Sequence, residues 1–255
     1  MTFQKVQDEK LAAAIVRQIE LLILRGILRP GERLPSEREL SERMGVSRPS
    51  LREAVAELEA RRLLVTRPGS GIYVDEGLGA HYPPALMRLF STHDEAVFDY
   101  IAFRRDIEGI AVERAARTGS DTDLKVVDAI FRKMETAQAR GRPEEEAALD
   151  AQFHMAIIEA SHNVVMLHVM RGMFGLLSEG VFFNRSVMFK QRATSETLLD
   201  QHRAINDALQ RRDAEGARAA VEAHLGFVEQ ALIAQRKAER NEEIARLRFA
   251  HQQER

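Results

Sequence analysis

Apolar residues recur at helical spacing along nearly the whole chain, and two short β-rich runs interrupt that rhythm early on. Leu11, Ile15, Ile19 and Leu22 mark one face of an amphipathic helix over about residues 8–25, closed by Gly26 and the Pro30-Gly31 turn. Ser36 and Glu39 stand at capping-box spacing, which predicts a short helix from there to Met44. Gly45 supplies a tight turn, and Ser47 can cap a second helix whose first turn accommodates Pro49. Leu51, Val55 and Leu58 form the seam of that helix, which runs to about Arg62 and leaves Arg48 and Arg52 on other faces. The runs Leu63 to Arg67 and Ile72 to Val74 flank Pro68-Gly69-Ser70-Gly71 and read as a hairpin. A helix-turn-helix followed by a hairpin is a winged helix, whose second hairpin helix enters the DNA major groove.

Beyond the wing the pattern changes to helices alone. Residues 77–93 form a linker containing Gly77, Gly79, Pro83 and Pro84, with a short helix over 85–90. Helices follow over about 94–117, 121–140, 144–161, 164–185, 194–212 and 213–240, with breaks at Thr118-Gly119-Ser120, Gly141-Arg142-Pro143, His162-Asn163 and Arg211-Arg212-Asp213. Long helices with short connections pack as an antiparallel bundle. The fold class expected is therefore mainly α: a winged helix-turn-helix with a small β-hairpin over 1–76, the linker, and an all-α bundle over 94–240. A charged, helix-prone tail over 241–255 extends the last helix or frays. Phe182, Phe183, Met188 and Phe189 read as core or dimer seam.

Composition narrows the function classes. Apolar residues at 45% and charged residues at 30% describe a soluble globular protein of 255 residues, long enough for two domains. With no cysteine, disulfides, thiolate metal sites and cysteine catalysis are excluded. No signal core and no membrane-length apolar run is present, so a cytoplasmic protein is expected. The net charge of −2 gives no global support for nucleic-acid binding, and residues 1–76 balance 13 Lys/Arg against 12 Asp/Glu. DNA binding then depends on where the charges sit, not on their sum.

The bundle carries its own chemistry. Asp150 and His154 are four apart and share a helix face with Ala147 and Ile157. His202 lies on the apolar face of Leu198, Ile205 and Leu209, and His224 on that of Ala217, Val221 and Val228. A single such histidine is ordinarily a hydrogen-bonded core residue. A buried carboxylate is costly unless paired or metal-bound, and one Asp with three His suits a divalent transition metal: zinc first, with nickel and manganese also compatible. Arg104 shares a face with Val97, Ile101 and Glu108, and either clamps an effector carboxylate or pairs with Glu108 or Asp150. Asn163 is either a pocket residue or a helix cap. His81, His93, His162, His168 and His251 have no partner visible in the sequence.

The residues Gly26, Leu28, Pro30-Gly31 and Leu34 to Leu40, then Gly45 to Arg48, Leu51 to Ala54 and the wing Gly69 to Val74, closely resemble the GntR family of bacterial transcription regulators. That resemblance implies DNA contacts from Arg38, Arg48 and Arg52, helped by Ser47 and Gly69; Ser50 joins them as a candidate. Two departures stand out: Arg62 replaces a helix-ending glycine, and Pro49 replaces a more usual Thr or Ala. The bundle is similar to the FCD ligand-binding domain of the FadR subfamily through Asp150-x-x-Phe153-His154, the helix end at residues 160–163, Gln201-His202-x-x-Ile205 and Ala223-His224-Leu225. The resemblance implies a metal held by Asp150, His154, His202 and His224, with a small organic acid beside it, contacted by Arg104 and Asn163.

These readings converge on a regulator, expected to repress, that binds a near-palindromic double-stranded DNA operator as a homodimer and answers to a carboxylate effector. Two alternatives use the same residues. One is a metal-dependent hydrolase or isomerase with a DNA-binding appendage, for which no general base is evident. The other is a sensor of the metal itself.

Overall fold

The computed structural model describes residues 11–78, 83–178 and 192–253. They fall into two compact units, Met1–His81 with Leu167–Gly172, and Tyr82–Met166 with Met173–Arg255.

In the first unit, α1 (Leu11–Leu24) buries Ala12, Ile15, Val16, Ile19 and Ile23 against the helix-turn-helix. Helix α2 (Glu37–Met44) begins where the Ser36 hydroxyl accepts the Glu39 N–H at 3.3 Å. It ends at Gly45, whose φ of 64° is the left-handed conformation the turn requires. Helix α3 (Arg48–Ala60) is capped by Ser47, which accepts the Ser50 N–H, and has Pro49 in its first turn. Strands β1 (Leu64–Arg67) and β2 (Gly71–Val74) pair antiparallel, Leu64 opposite Val74 and Arg67 opposite Gly71. The sequence pattern did not show that the segment after the Pro30-Gly31 turn lies along β2. Gly31 N–H donates to Val74, Leu34 N–H to Ile72, and Val74 N–H to Glu32, at 2.9–3.0 Å. This extra edge brings Leu34 into the core with Leu40, Leu51, Leu58, Leu64, Ile72 and Val74.

The second unit is all α: α4 (Pro84–Thr92), α5 (Asp94–Thr118), α6 (Asp121–Ala139), α7 (Pro143–Ala160), α8 (Val164–Ser178, of which residues 167–172 group with the first unit), α9 (Arg192–Gln210) and α10 (Ala214–Gln253). Helix α5 packs on α10 and α7, α6 on α7 and α9, and α9 on α10. Val127, Phe131, Phe153, Ile157, Ile205, Leu209, Val221 and Leu225 fill the space between them. The helix expected over 164–185 is described as far as Ser178. The aromatic run of Phe182, Phe183, Met188 and Phe189 lies outside the described residues. Helix α10 runs unbroken through the expected tail to Gln253, and its residues from Lys237 to Gln252 are exposed. No described helix is long and apolar enough to cross a membrane.

Among the described residues, three helix ends place a residue other than glycine in the left-handed region: Arg62, His162 and Arg212, with φ of 58°, 51° and 55°. Two of them are held by their side chains. His162, which had no partner in the sequence reading, meets Asp123 at 2.9 Å. The Arg212 guanidinium donates to the carbonyls of Ala116 and Gly119 and to Asp121. Arg62 closes α3 by backbone bonds, its own N–H to Glu59 and that of Leu63 to Leu58, while its side chain is exposed.

This difference sets opposite outcomes for the same substitution. The left-handed conformation costs a non-glycine residue about 1 kcal/mol, so Arg62→Gly should stabilise the protein by about 0.5–1 kcal/mol. Arg212→Gly loses several hydrogen bonds and should destabilise it by roughly 1 kcal/mol despite the same backbone relief. Chemical denaturation of the full chain distinguishes the two. Equal signs for both variants would contradict this account.

Candidate functional site

The start of α3 carries the first candidate surface. Arg48 is exposed and has no partner among the described residues. Ser47 and Ser50 hydroxyls meet at 2.9 Å, so both are engaged in shaping the helix N-terminus. Arg52 Nε donates to Glu37 of α2 at 2.9 Å, and Arg38 lies 4.0 Å from Glu42. All of these pairs are exposed, where an ion pair contributes ~0–1 kcal/mol and can be exchanged for a phosphate without large cost. Gly69 occupies the hairpin turn with φ 72°, and a Cβ there would meet nothing within 4 Å, so backbone conformation rather than space calls for glycine. On the same hairpin the Arg67 guanidinium lies 4.5 Å from the centre of the Tyr73 ring.

The second candidate lies inside the helical unit. Asp150 and His154 on α7, His202 on α9 and His224 on α10 are all buried, and one ligand-type atom from each lies within 4.8 Å of the others. His202 Nε2 is 3.0 Å from Asp150 Oδ1 and 3.2 Å from His154 Nε2, and His154 Nε2 is 3.7 Å from the same Asp150 oxygen. The rings of His202 and His224 approach to 4.4 Å between centres. Phe153 turns its ring edge-on to both His154 and His202 and fixes their planes.

Each imidazole has its Nδ1 engaged by an oxygen away from the cluster. His202 Nδ1 donates to the Leu198 carbonyl at 2.7 Å, and His224 Nδ1 to the Gln201 side-chain oxygen at 3.0 Å. His154 Nδ1 is 2.7 Å from Glu108 Oε2, close enough to pair but short of hydrogen-bond alignment. With the proton on Nδ1, every Nε2 presents a lone pair. Two such lone pairs 3.2 Å apart repel unless a cation lies between them. Ligands about 2.1 Å from a metal are separated by about 3.0–3.4 Å across octahedral and tetrahedral edges; the His202–Asp150 and His202–His154 spacings of 3.0 and 3.2 Å fall in that range, and the His154–Asp150 spacing of 3.7 Å lies just beyond it.

Electrostatics agrees. Burial pushes the imidazoles of His154 and His224 below the ordinary histidine range, and for His224 the neighbouring His202 and His154 push further. Neutral imidazole is the form that binds metal. Burial alone would raise Glu108, but the Arg104 guanidinium and then His154 outweigh it and hold the carboxyl at about 2.

Arg104 is 1% exposed and among the largest fully buried side chains of the protein. Its Nε donates to Glu108 Oε1 at 2.5 Å, and its guanidinium lies 4.9 Å from the Phe174 ring centre. Its Nη2 is buried with no hydrogen-bond partner. A buried, unmatched guanidinium nitrogen costs several kcal/mol in general and is a position for an acceptor, such as a ligand carboxylate.

The structure thus assembles Asp150, His154, His202 and His224 as the helical spacing required. Arg104 makes the pair with Glu108 that the sequence left open, and keeps one edge unpaired. Asn163 caps α8, its Oδ1 accepting the N–H groups of Val165 and Met166, which is the cap the sequence offered beside the pocket role. Sequence reasoning missed the carbonyl of Leu198, the Gln201 amide and Phe174 as parts of the site. Glu108 did leave a signal: a charged pair at i, i+4 on an otherwise apolar face.

Comparison with known proteins agrees with both halves. The model for bacterial regulatory proteins of the gntR family matches residues 11–74, and the FCD domain model matches residues 99–227. The chain is 34% identical over 227 residues to the "Putative L-lactate dehydrogenase operon regulatory protein" of Escherichia coli (strain K12), covering 88% of this chain and 86% of that one. It is 30% identical over 232 residues to the Glc operon transcriptional activator of the same strain, covering 89% and 91%. The solved structure titled Streptococcus agalactiae GntR superposes with a TM-score of 0.55 at 26% identity, covering 86% of this chain and 99% of that one. These relatives are regulators, not enzymes. With a GntR-type winged helix in front and an FCD domain behind, the chain belongs to the GntR family of bacterial transcription regulators.

Proposed function

We propose that this regulator, of the FadR subfamily, is a cytoplasmic, metabolite-responsive repressor whose operator affinity is set by a small hydroxy- or oxo-acid bound beside a divalent metal. Asp150, His154, His202 and His224 would hold the metal; zinc suits the set, and nickel and manganese are compatible. The observation that carries the reading is the pairing of a buried carboxylate and three buried imidazoles, with ligand-type atoms within 4.8 Å of one another, with the unmatched Nη2 of Arg104. The names of the two curated relatives, which refer to L-lactate dehydrogenase and Glc operons, point to acids of the size of lactate or glycolate.

The bound ion would supply a Lewis-acidic position for a carboxylate oxygen. Arg104 Nη2 would donate to the acid's second oxygen, with the Phe174 ring packed against the guanidinium. A buried charged pair of this kind discriminates strongly against neutral analogues, which leave the guanidinium unmatched. On the DNA side, Arg48 and Arg52 would read base edges, while Arg38, Ser47, Ser50 and the Gly69 backbone position the phosphates. A homodimer presents two such surfaces to a near-palindromic operator, which offsets the near-neutral charge of one module. The acid changes operator affinity only if it binds one DNA-binding state more tightly than the other. Repression is the direction proposed, although one relative bears the name of an activator; a promoter fusion with and without the gene decides it.

Arg48→Ala should weaken specific operator binding at least about 30-fold, because each bidentate base contact is worth about 1–3 kcal/mol and a dimer loses two. Thermal stability should not change, since Arg48 is exposed and unpaired. A gel shift that retains sequence preference in this variant would overturn the recognition-helix assignment. His202→Ala should lower bound zinc, measured by metal analysis, and abolish the thermal upshift given by L-lactate or glycolate, while the metal-free protein still binds DNA.

The pH dependence of the metal-free protein has a defined sign. His154 and His224 have folded-state values below the ordinary value of about 6.5, so below that pH the unfolded chain takes up more protons than the folded one. Stability should therefore be full above about pH 6.5 and fall as pH drops below it. Thermal unfolding between pH 7.5 and 5.5 measures this, and a flat or rising midpoint on acidification would contradict it.

A further inference from the structure

We propose that Glu108 is the positioning residue of this site, setting both the metal-facing nitrogen of His154 and the effector-facing edge of Arg104, and so coupling metal binding to carboxylate binding. The proposal rests on the Asp/His reading above.

Glu108 lies one turn after Arg104 on α5 and is 1% exposed. Its two oxygens are divided between two partners: Oε1 accepts Arg104 Nε at 2.5 Å, and Oε2 lies 2.7 Å from His154 Nδ1. It cannot itself be a metal ligand in this arrangement, because it meets His154 on Nδ1, across the ring from the Nε2 that faces His202 and Asp150. A neutral imidazole has one ring proton. A carboxylate against Nδ1 keeps the proton there and leaves Nε2 free for the cluster. The same carboxylate holds Arg104 by Nε, so the guanidinium keeps its Nη2 unmatched.

The two effects are linked through Arg104. Glu108 touches both the Arg104 guanidinium and the ring of a proposed metal ligand. Without the negative charge at residue 108, the buried Arg104 cation would stand uncompensated beside that ligand and disfavour a second cation there. Binding of an organic acid to Arg104 neutralises it from the other side, so acid should tighten metal binding, and metal should tighten acid binding by the same factor.

Calorimetric titration of zinc into the full-length protein and Glu108→Gln, each with and without saturating glycolate, tests the coupling. In the native protein glycolate should tighten zinc binding. In the variant, zinc affinity should fall about 10–100-fold, the usual cost of losing a partner of a metal-bound histidine, and glycolate should no longer change it. A folded variant with zinc affinity within twofold of native, or an undiminished glycolate effect, overturns the proposal, even if its melting temperature drops. Ring nitrogen NMR of the metal-free native protein provides a measurement independent of the variant's folding. It should show His154 with its proton on Nδ1; a proton on Nε2 overturns the proposal. Should the native protein bind no zinc at all, the metal reading fails, while the tautomer still decides the role of Glu108 toward His154.

Discussion

Placing a carboxylate and three imidazoles in the centre of a helical bundle is the constraint to which the rest of the second unit answers. Buried polar atoms are tolerated only when their bonds are satisfied, and four of them converging on one point have to be held against mutual repulsion. Three helices meet that demand together. Asp150 and His154 come from α7, His202 from α9 and His224 from α10, while large apolar residues such as Phe153, Ile157, Ile205 and Leu225 lock the helices around them. The arrangement of lone pairs makes the metal-free cluster the least comfortable part of an otherwise well-packed core. Binding that relieves it would add directly to stability.

A second layer of bonds decides what the cluster can do. The Leu198 carbonyl and the Gln201 side chain each accept one imidazole Nδ1–H, and the Glu108 carboxylate lies 2.7 Å from the third Nδ1, so an oxygen faces the outer nitrogen of every ring. Arg104 then adds a positive charge beside the candidate cation site, an arrangement that would weaken metal binding if Glu108 did not sit between Arg104 and His154. The pairing of opposing charges at close range allows a single small anion to satisfy both positive centres.

The DNA-binding unit works under the opposite regime, at the surface and in high dielectric. Its arginines are matched almost one for one by acids, and Arg52 and Arg38 lie near Glu37 and Glu42 in the free protein. Such pairs are weak and exchangeable, so they keep the surface soluble without blocking phosphate contacts. The Ser47 cap, the Gly45 turn and the apolar seam of Leu51, Val55 and Leu58 hold α3 rigidly, as the proposed recognition role requires.

Local signals were sufficient for the helices, the caps and the wing, because Ser36, Gly45, Ser47 and the Pro68 to Gly71 turn act within a few residues of themselves. Helical periodicity also placed Asp150, His154, His202 and His224 on inward faces, since facing inward depends only on position around one helix. What periodicity cannot state is which atom of each ring points inward. That was decided by residues distant in sequence: Glu108 against His154, 46 positions apart, and Gln201 against His224, 23 apart. The strand-like edge at residues 31–34 was likewise invisible, because it has no alternating pattern and exists only where β2 offers partners. Arg104 shows the division most plainly. Its sequence context marked it as a charge on an apolar face, but only the packed bundle determined that Glu108 takes one edge of the guanidinium and leaves the other buried and unmatched, because hydrogen-bond geometry is a property of neighbours and not of the chain.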